Sequence, residues 1–209
     1  EWRDARPTSR GLQDPAAAAL TAAGLPGVPN PAVVWGNPRG NDDYKLVANG
    51  HMAVGSAEAY LFGNYASRAV DGSFFYHNPL GRTGVFSNDG GQTLLVGDLT
   101  PTDGVACPVV PIVGGKPEAV ALAAVASNPA CFVFNQRYPG GFTPRFGGTV
   151  EDYSAVAGIR GELANGWRYD LSGSVGQNGI KLGISNTVNA SMGPASPADF
   201  QLGQQIQRE

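Results

Sequence analysis

From Asp43 to Val54 the chain alternates. Tyr44, Leu46, Ala48, Gly50, Met52 and Val54 fall on one side of an extended backbone, and Asp43, Lys45, Asn49 and His51 on the other. A period of two predicts a β-strand with one apolar and one wet face. Gly55-Ser56 then turns the chain, and 57–68 returns as a second strand with a less regular pattern. There Glu58, Tyr60, Phe62, Asn64 and Arg68 oppose Ala59, Leu61, Gly63 and Tyr65. A second hairpin is sharper: Tyr153, Ala155, Ala157, Ile159, Gly161 and Leu163 alternate with Asp152, Ser154, Val156, Gly158, Arg160 and Glu162. Ala164-Asn165-Gly166 is its turn. The return strand sets Trp167, Tyr169, Leu171, Gly173 and Val175 against Arg168, Asp170, Ser172, Ser174 and Gly176, and Ile180, Leu182 and Ile184 continue the alternation with Lys181, Gly183 and Ser185. Both hairpins open on D-Y-x-x-V-A, at Asp43 and at Asp152, which reads as a weak repeat or as shared strand grammar.

The connections differ in length. The two turns are minimal, whereas the stretch 77–148 between the hairpins runs for about 70 residues, an anomaly for a structureless connection inside a compact soluble domain. An outer-membrane barrel has this asymmetry, with short periplasmic turns and long extracellular loops. Tyr44 and Tyr153 at the long-loop rim, and Trp167 and Tyr169 beside a short turn, suit the two interfaces of a bilayer. The polar side chains of the opposite face then suit a water-filled lumen or a polar plug. A soluble sandwich with one solvated face gives the same alternation, and the loop asymmetry favours the barrel. Two short helices are predicted inside the connections. One starts after Asp14 as N-cap and Pro15, over 16–23; the other covers 119–126, with Pro117 in its first turn and Pro129 as its stop.

Composition narrows the classes. The 209 residues carry 14 basic and 17 acidic side chains, a net charge of −3, which gives no nucleic-acid footprint. No apolar run approaches the roughly 18 residues of a membrane-spanning helix, but a spanning strand needs only about ten. The chain opens on Glu1-Trp2-Arg3 with no initiator Met and no signal-like n- and h-regions, so it is expected to start within a protein or after processing. Cys107 and Cys131 lie in one Pro- and Gly-rich stretch; they read as a disulfide in an oxidising compartment or as two separate buried thiols.

Several segments resemble the TonB-dependent receptors of Gram-negative outer membranes. They are Glu1-Trp2-Arg3-Asp4-Ala5-Arg6-Pro7-Thr8-Ser9-Arg10, 57–68, 92–101, Tyr138-Pro139-Gly140-Gly141-Phe142-Thr143-Pro144 and 158–163. The most specific is Asn186-Thr187-Val188-Asn189-Ala190-Ser191-Met192-Gly193-Pro194-Ala195-Ser196-Pro197, similar to an N-T-L-N-x-S-L-G-P-x-S-P signature in one subgroup of these receptors. The resemblance implies an all-β fold, here an antiparallel transmembrane β-barrel fragment covering 1–209. Its 77–148 extracellular loop would be stapled by Cys107 and Cys131. A full receptor of this kind is a 22-stranded barrel around an N-terminal plug, energised through the TonB system of the inner membrane. The chain looks like part of the N-terminal half of such a barrel, without the plug. The implied setting is the outer membrane of a Gram-negative cell, with outer-membrane lipid, TonB through the parent's plug, and an unknown small solute (siderophore, saccharide or similar) as partners. Five or so strands cannot close that wall, so the fragment alone is not expected to transport.

No catalytic, cofactor-binding or metal-binding set emerges, and an enzyme is not expected. Gly114-Gly115-Lys116 lacks the spacing and the Ser or Thr of a phosphate loop. Ser172-Gly173-Ser174-Val175-Gly176 is not a nucleophile elbow. Glu151 and Asp152 point to opposite faces of a strand and cannot act together. Asn41-Asp42-Asp43, Asn88-Asp89-Gly90, Asp98 and Asp103 read as turn-forming residues in preference to calcium ligands. Candidate solute contacts are long-loop aromatics and arginines: Phe75, Tyr76, Arg82, Arg137, Tyr138, Phe142 and Arg145. The bland reading of each is loop packing or solvated charge. The competing function is a secreted or surface-bound structural or adhesive β-rich module.

Overall fold

In the computed structural model, residues 2–5, 11–12, 14–34 and 39–209 are described. Six strands form one antiparallel sheet: β1 (Trp2–Ala5), β2 (Arg39–Val54), β3 (Ala57–Ser73), β4 (Arg145–Glu162), β5 (Arg168–Ser185) and β6 (Phe200–Arg208). Each pairs with its neighbour in sequence, so the sheet is an up-and-down meander. It is open, because β1 and β6 lie at opposite edges and do not pair with each other. The four central strands have 16, 17, 18 and 18 residues, against about five or six in ordinary globular sheets.

The turns follow from local chemistry. Gly55, at φ 63°, occupies the first of two turn positions between the paired residues Val54 and Ala57. The β4–β5 loop closes through the Gly166 amide donating to the Leu163 carbonyl, and Gly166 has φ 84°. At the other end of the sheet the connections are long, and the one between β3 and β4 runs over 74–144. Its two ends are joined as a continuing ladder, His77 and Phe142 exchanging backbone hydrogen bonds.

Every buried hydrophobic among the described residues lies in these long connections, and none in β2 to β5. One cluster joins Ala17, Leu20, Ala32 and Val33, from the β1–β2 connection, to Tyr76, Leu80, Leu94, Val110, Val125, Cys131 and Val133. A second gathers Phe86, Phe134 and Phe142 with Val188 and Ala190 from the β5–β6 connection. The long connections therefore fold as one capping body with its own core. Cys107 and Cys131 form a disulfide across this body, 24 residues apart in sequence. Helix α1 (Pro15–Ala22) is capped as its sequence predicts, the Asp14 carboxylate accepting the amides of Ala16 and Ala17 at 2.9 and 3.2 Å. Helix α2 (Ala119–Ser127) is capped by Glu118, whose carboxylate accepts the amides of Val120 and Ala121 at 3.0 and 2.7 Å. Pro117 does not enter its first turn. It pairs with Ile112 in a two-residue ladder before the cap.

Candidate functional site

Register turns alternation into two unlike faces. Tyr65, Gly63, Leu61, Ala59 and Ala57 stand opposite Leu46, Ala48, Gly50, Met52 and Val54 on one side and Tyr153, Ala155, Ala157, Ile159 and Gly161 on the other. The β5 row Val175, Gly173, Leu171 and Tyr169 extends the same face. This four-strand surface contains no charged side chain, yet it is open to its surroundings: Leu171 is 69% and Val175 58% exposed. A ring row borders it at the cap end, where Tyr44 and Tyr65 lie 5.8 Å apart and Tyr153 pairs with Tyr65. Tyr169 and the exposed Trp167 border it at the short-turn end. Tyr169 lies over Gly161, where an added Cβ would meet its hydroxyl oxygen at 2.6 Å.

The opposite face is polar and cross-linked between strands. Arg160 stands between Glu58 and Asp170 in register, and its guanidinium donates to the Glu58 carboxylate at 2.5 and 3.0 Å. His51 Nδ1 lies 3.7 Å from the same carboxylate. The Tyr60 hydroxyl donates to Asp170 at 2.6 Å, its ring under the Arg160 guanidinium at 5.5 Å. Arg68 donates to Asp43, Asn178 to Asp152 and Ser154 to Asn64. The first Asp of each D-Y-x-x-V-A segment thus makes a cross-strand bond on this face. Val47 and Phe62 are its exposed apolar exceptions. Near the short turns the polar network borders a cavity of about 970 Å³, with Glu162, Arg168 and Asp170 in its lining.

Above the tyrosine row the polarity inverts on β4 and β5, while the Asp43–Arg68 pair keeps β2 and β3 polar on the network's side. Ile180, Leu182 and Ile184 sit on the polar network's side, paired with Val150, Gly148 and Phe146, while Lys181, Thr149, Glu151 and the Arg145–Asp71 ion pair take the other side. The β5 alternation therefore does not continue on one face, as its sequence suggests; the apolar positions change from odd to even at Gly176.

The seven candidate contact residues have distinct fates. Tyr76 and Phe142 are buried in the cap, and the Tyr76 hydroxyl donates to the Gly140 carbonyl. Tyr138 lies tilted against Phe142 at 4.7 Å, and Arg137 reaches over Tyr138 to the Ser196 carbonyl. The Arg145 guanidinium donates to Asp71, from Nε to both carboxylate oxygens and from Nη2 to one of them. Only Phe75 and Arg82 remain together at the surface, the guanidinium 4.9 Å from the ring centroid. Between Phe75 and Phe142 lies His77, at 5.1 and 4.7 Å, with Nδ1 buried and unpartnered. Burial, and then the Arg82 charge, push its pKa down to about 4. Thr93 and Ser87 hold the Asp89 carboxyl far below the usual carboxylate range, through hydroxyl and amide donors of a turn. Sequence reasoning missed the network of Glu58, Tyr60, Arg160 and Asp170, because its members meet only through the β3–β4–β5 register.

Compared with known proteins, the chain matches no family model, no curated protein and no solved structure.

Proposed function

We propose that this chain is a wall segment of a Gram-negative outer-membrane β-barrel of the TonB-dependent receptor type. In the parent protein it would take up a small solute such as a siderophore or saccharide. The observation that carries the reading is the uncharged face shared by β2 to β5, which is exposed and bordered by aromatic rows at both ends. In water such a face forgoes about 1.5–3 kcal/mol for each large side chain left unburied. In a bilayer it is the favourable arrangement. From Tyr153 to Leu163, one residue past the end of β4, the chain rises roughly 34 Å, or about 26 Å along the membrane normal at a tilt of about 40°, close to the ~25 Å apolar band of such barrels.

The polar face then lines the lumen, where its charges stay hydrated or meet a plug. The residues above the tyrosine row stand outside the bilayer, which accounts for the charged half of the inversion there: with water on the outer side, Lys181, Glu151 and the Arg145–Asp71 pair face outward at no cost. The cap becomes the extracellular rim. The open edges of β1 and β6 have backbone groups that lipid cannot satisfy. The isolated segment is therefore not transport-competent, and neighbouring strands complete the wall.

The test is solubility. The purified chain should remain monodisperse only in detergent or lipid. A monodisperse chain in plain buffer would instead support the structural or adhesive module, with its apolar face covered by another surface.

A further inference from the structure

The segment 186–197, distinctive in sequence, takes no part in either sheet face. It forms a short 3-10 stretch over Ala190–Ala195, broken at Gly193, whose φ is 54°. Ser196, buried, anchors it: the hydroxyl accepts the Asn189 amide at 2.8 Å and donates to the Pro197 carbonyl, and Arg137 donates to the Ser196 carbonyl. Between this segment and two stretches of the long connection lies a cavity of about 270 Å³. Val85, Leu95, Leu99, Phe132, Phe134 and Ala190 form its walls, and Ser191 supplies the single polar side chain. Phe132 and Phe134 meet edge to face, with centroids 4.9 Å apart. Glycines complete the lining. At Gly97 an added Cβ would come no nearer than 3.6 Å to the Phe132 carbonyl oxygen, so a side chain fits there without strain.

We infer that this cavity binds a ring-sized apolar group, such as the aromatic moiety of a solute. A cavity of about 150 Å³ with similar walls stays dry and binds benzene, so this one has room for one or two fused rings. It is smaller than the roughly 300–1,000 Å³ of sites that enclose a whole ligand. It therefore takes part of a solute and leaves the remainder outside. The walls come from two different connections of the same rim, so an occupant joins the β5–β6 connection to the long one. Assigning the ring to a transported solute rests on the proposed transport function; the cavity belongs to the cap in any setting.

Equilibrium dialysis of indole against the intact chain tests this, with uptake by detergent alone subtracted. One saturable site per chain is expected. Leu99→Trp fills the cavity from a position 44% exposed, and Gly97→Val fills it from two residues earlier on the same stretch. Each should weaken the saturable site at least tenfold, while Val120→Ala, at an exposed cap position outside the lining, leaves it unchanged. Near-ultraviolet circular dichroism confirms folding, and two unrelated fillings keep the result independent of either variant's stability. Linear uptake only, or a saturable site that survives both fillings, overturns the inference. The outcomes separate from those of the membrane reading: a chain soluble in plain buffer that still binds indole here overturns only that reading, and a detergent-requiring chain without saturable binding overturns only this inference.

Discussion

The ring of Tyr60 lies across Gly158 on its way to Asp170, and a Cβ added at 158 would meet the ring at 2.5 Å. Gly158→Val should therefore displace Tyr60, break its bond to Asp170 and destabilise the sheet by about 1–3 kcal/mol, the usual cost of overpacking. Gly173→Ala, where nothing lies within 4 Å of the new Cβ, should be close to neutral. Equilibrium urea unfolding of the two variants in one lipid environment checks the contrast, and equal losses would contradict it. His77 predicts a pH effect in the cap. Its folded pKa of about 4 lies below the unfolded value of 6.5, so between these the unfolded chain binds a proton that the folded one refuses. Cap stability should fall as pH drops from about 6.5 towards 4 and should gain no further loss from this group below that. His77→Phe should flatten that part of the profile in thermal unfolding followed by aromatic circular dichroism. Identical slopes for both proteins would remove His77 as the cause.

At the level of elements, the two faces differ in what they tolerate. Ala157 lies mid-band on the apolar face, between Leu61 and Gly173, and Ser174 lies on the polar face beside Val156. Ala157→Arg should cost about 2–4 kcal/mol of folding stability in a bilayer, as arginine does at mid-depth on a lipid-facing wall. Ser174→Arg, directed at the proposed lumen, should cost less than about 1 kcal/mol. Unfolding titrations in lipid vesicles read both, and equal tolerance would mean that the faces share one solvent. The strands carrying this contrast were legible in sequence because period-two alternation records which side chains share a face. It does not record where the surroundings change. Ile180, Leu182 and Ile184 look like a continuation of Leu171 and Val175, but they are even-numbered where those are odd, and the unshifted β4–β5 register shows that no bulge brings them back to the same face. The contacts of Tyr76, Phe142, Arg137 and Arg145 were equally hidden. Loop residues have no periodicity, and buried aromatics or paired arginines there have the same composition as exposed ones.

For the whole molecule, core and sheet have separated. The buried hydrophobics belong to the cap, while the largest regular element presents apolar side chains outward. A soluble domain places its core against its sheet. A membrane wall inverts this, because lipid replaces the core on one face. The meander order agrees with such a wall, since up-and-down barrels pair each strand with its sequence neighbour. In the proposed barrel, the short turns at one rim and the cap at the other would give the wall a direction, and the tyrosine row would mark where it leaves the bilayer. The most direct test is a nitroxide scan along β4, one label at a time from 153 to 161, in the intact polypeptide reconstituted with lipid vesicles. Labels at odd positions should be accessible to oxygen and shielded from a water-soluble nickel reagent, and labels at even positions should lack that lipid signature. Equal access of the nickel reagent to both sets would place water on both faces and contradict the membrane wall.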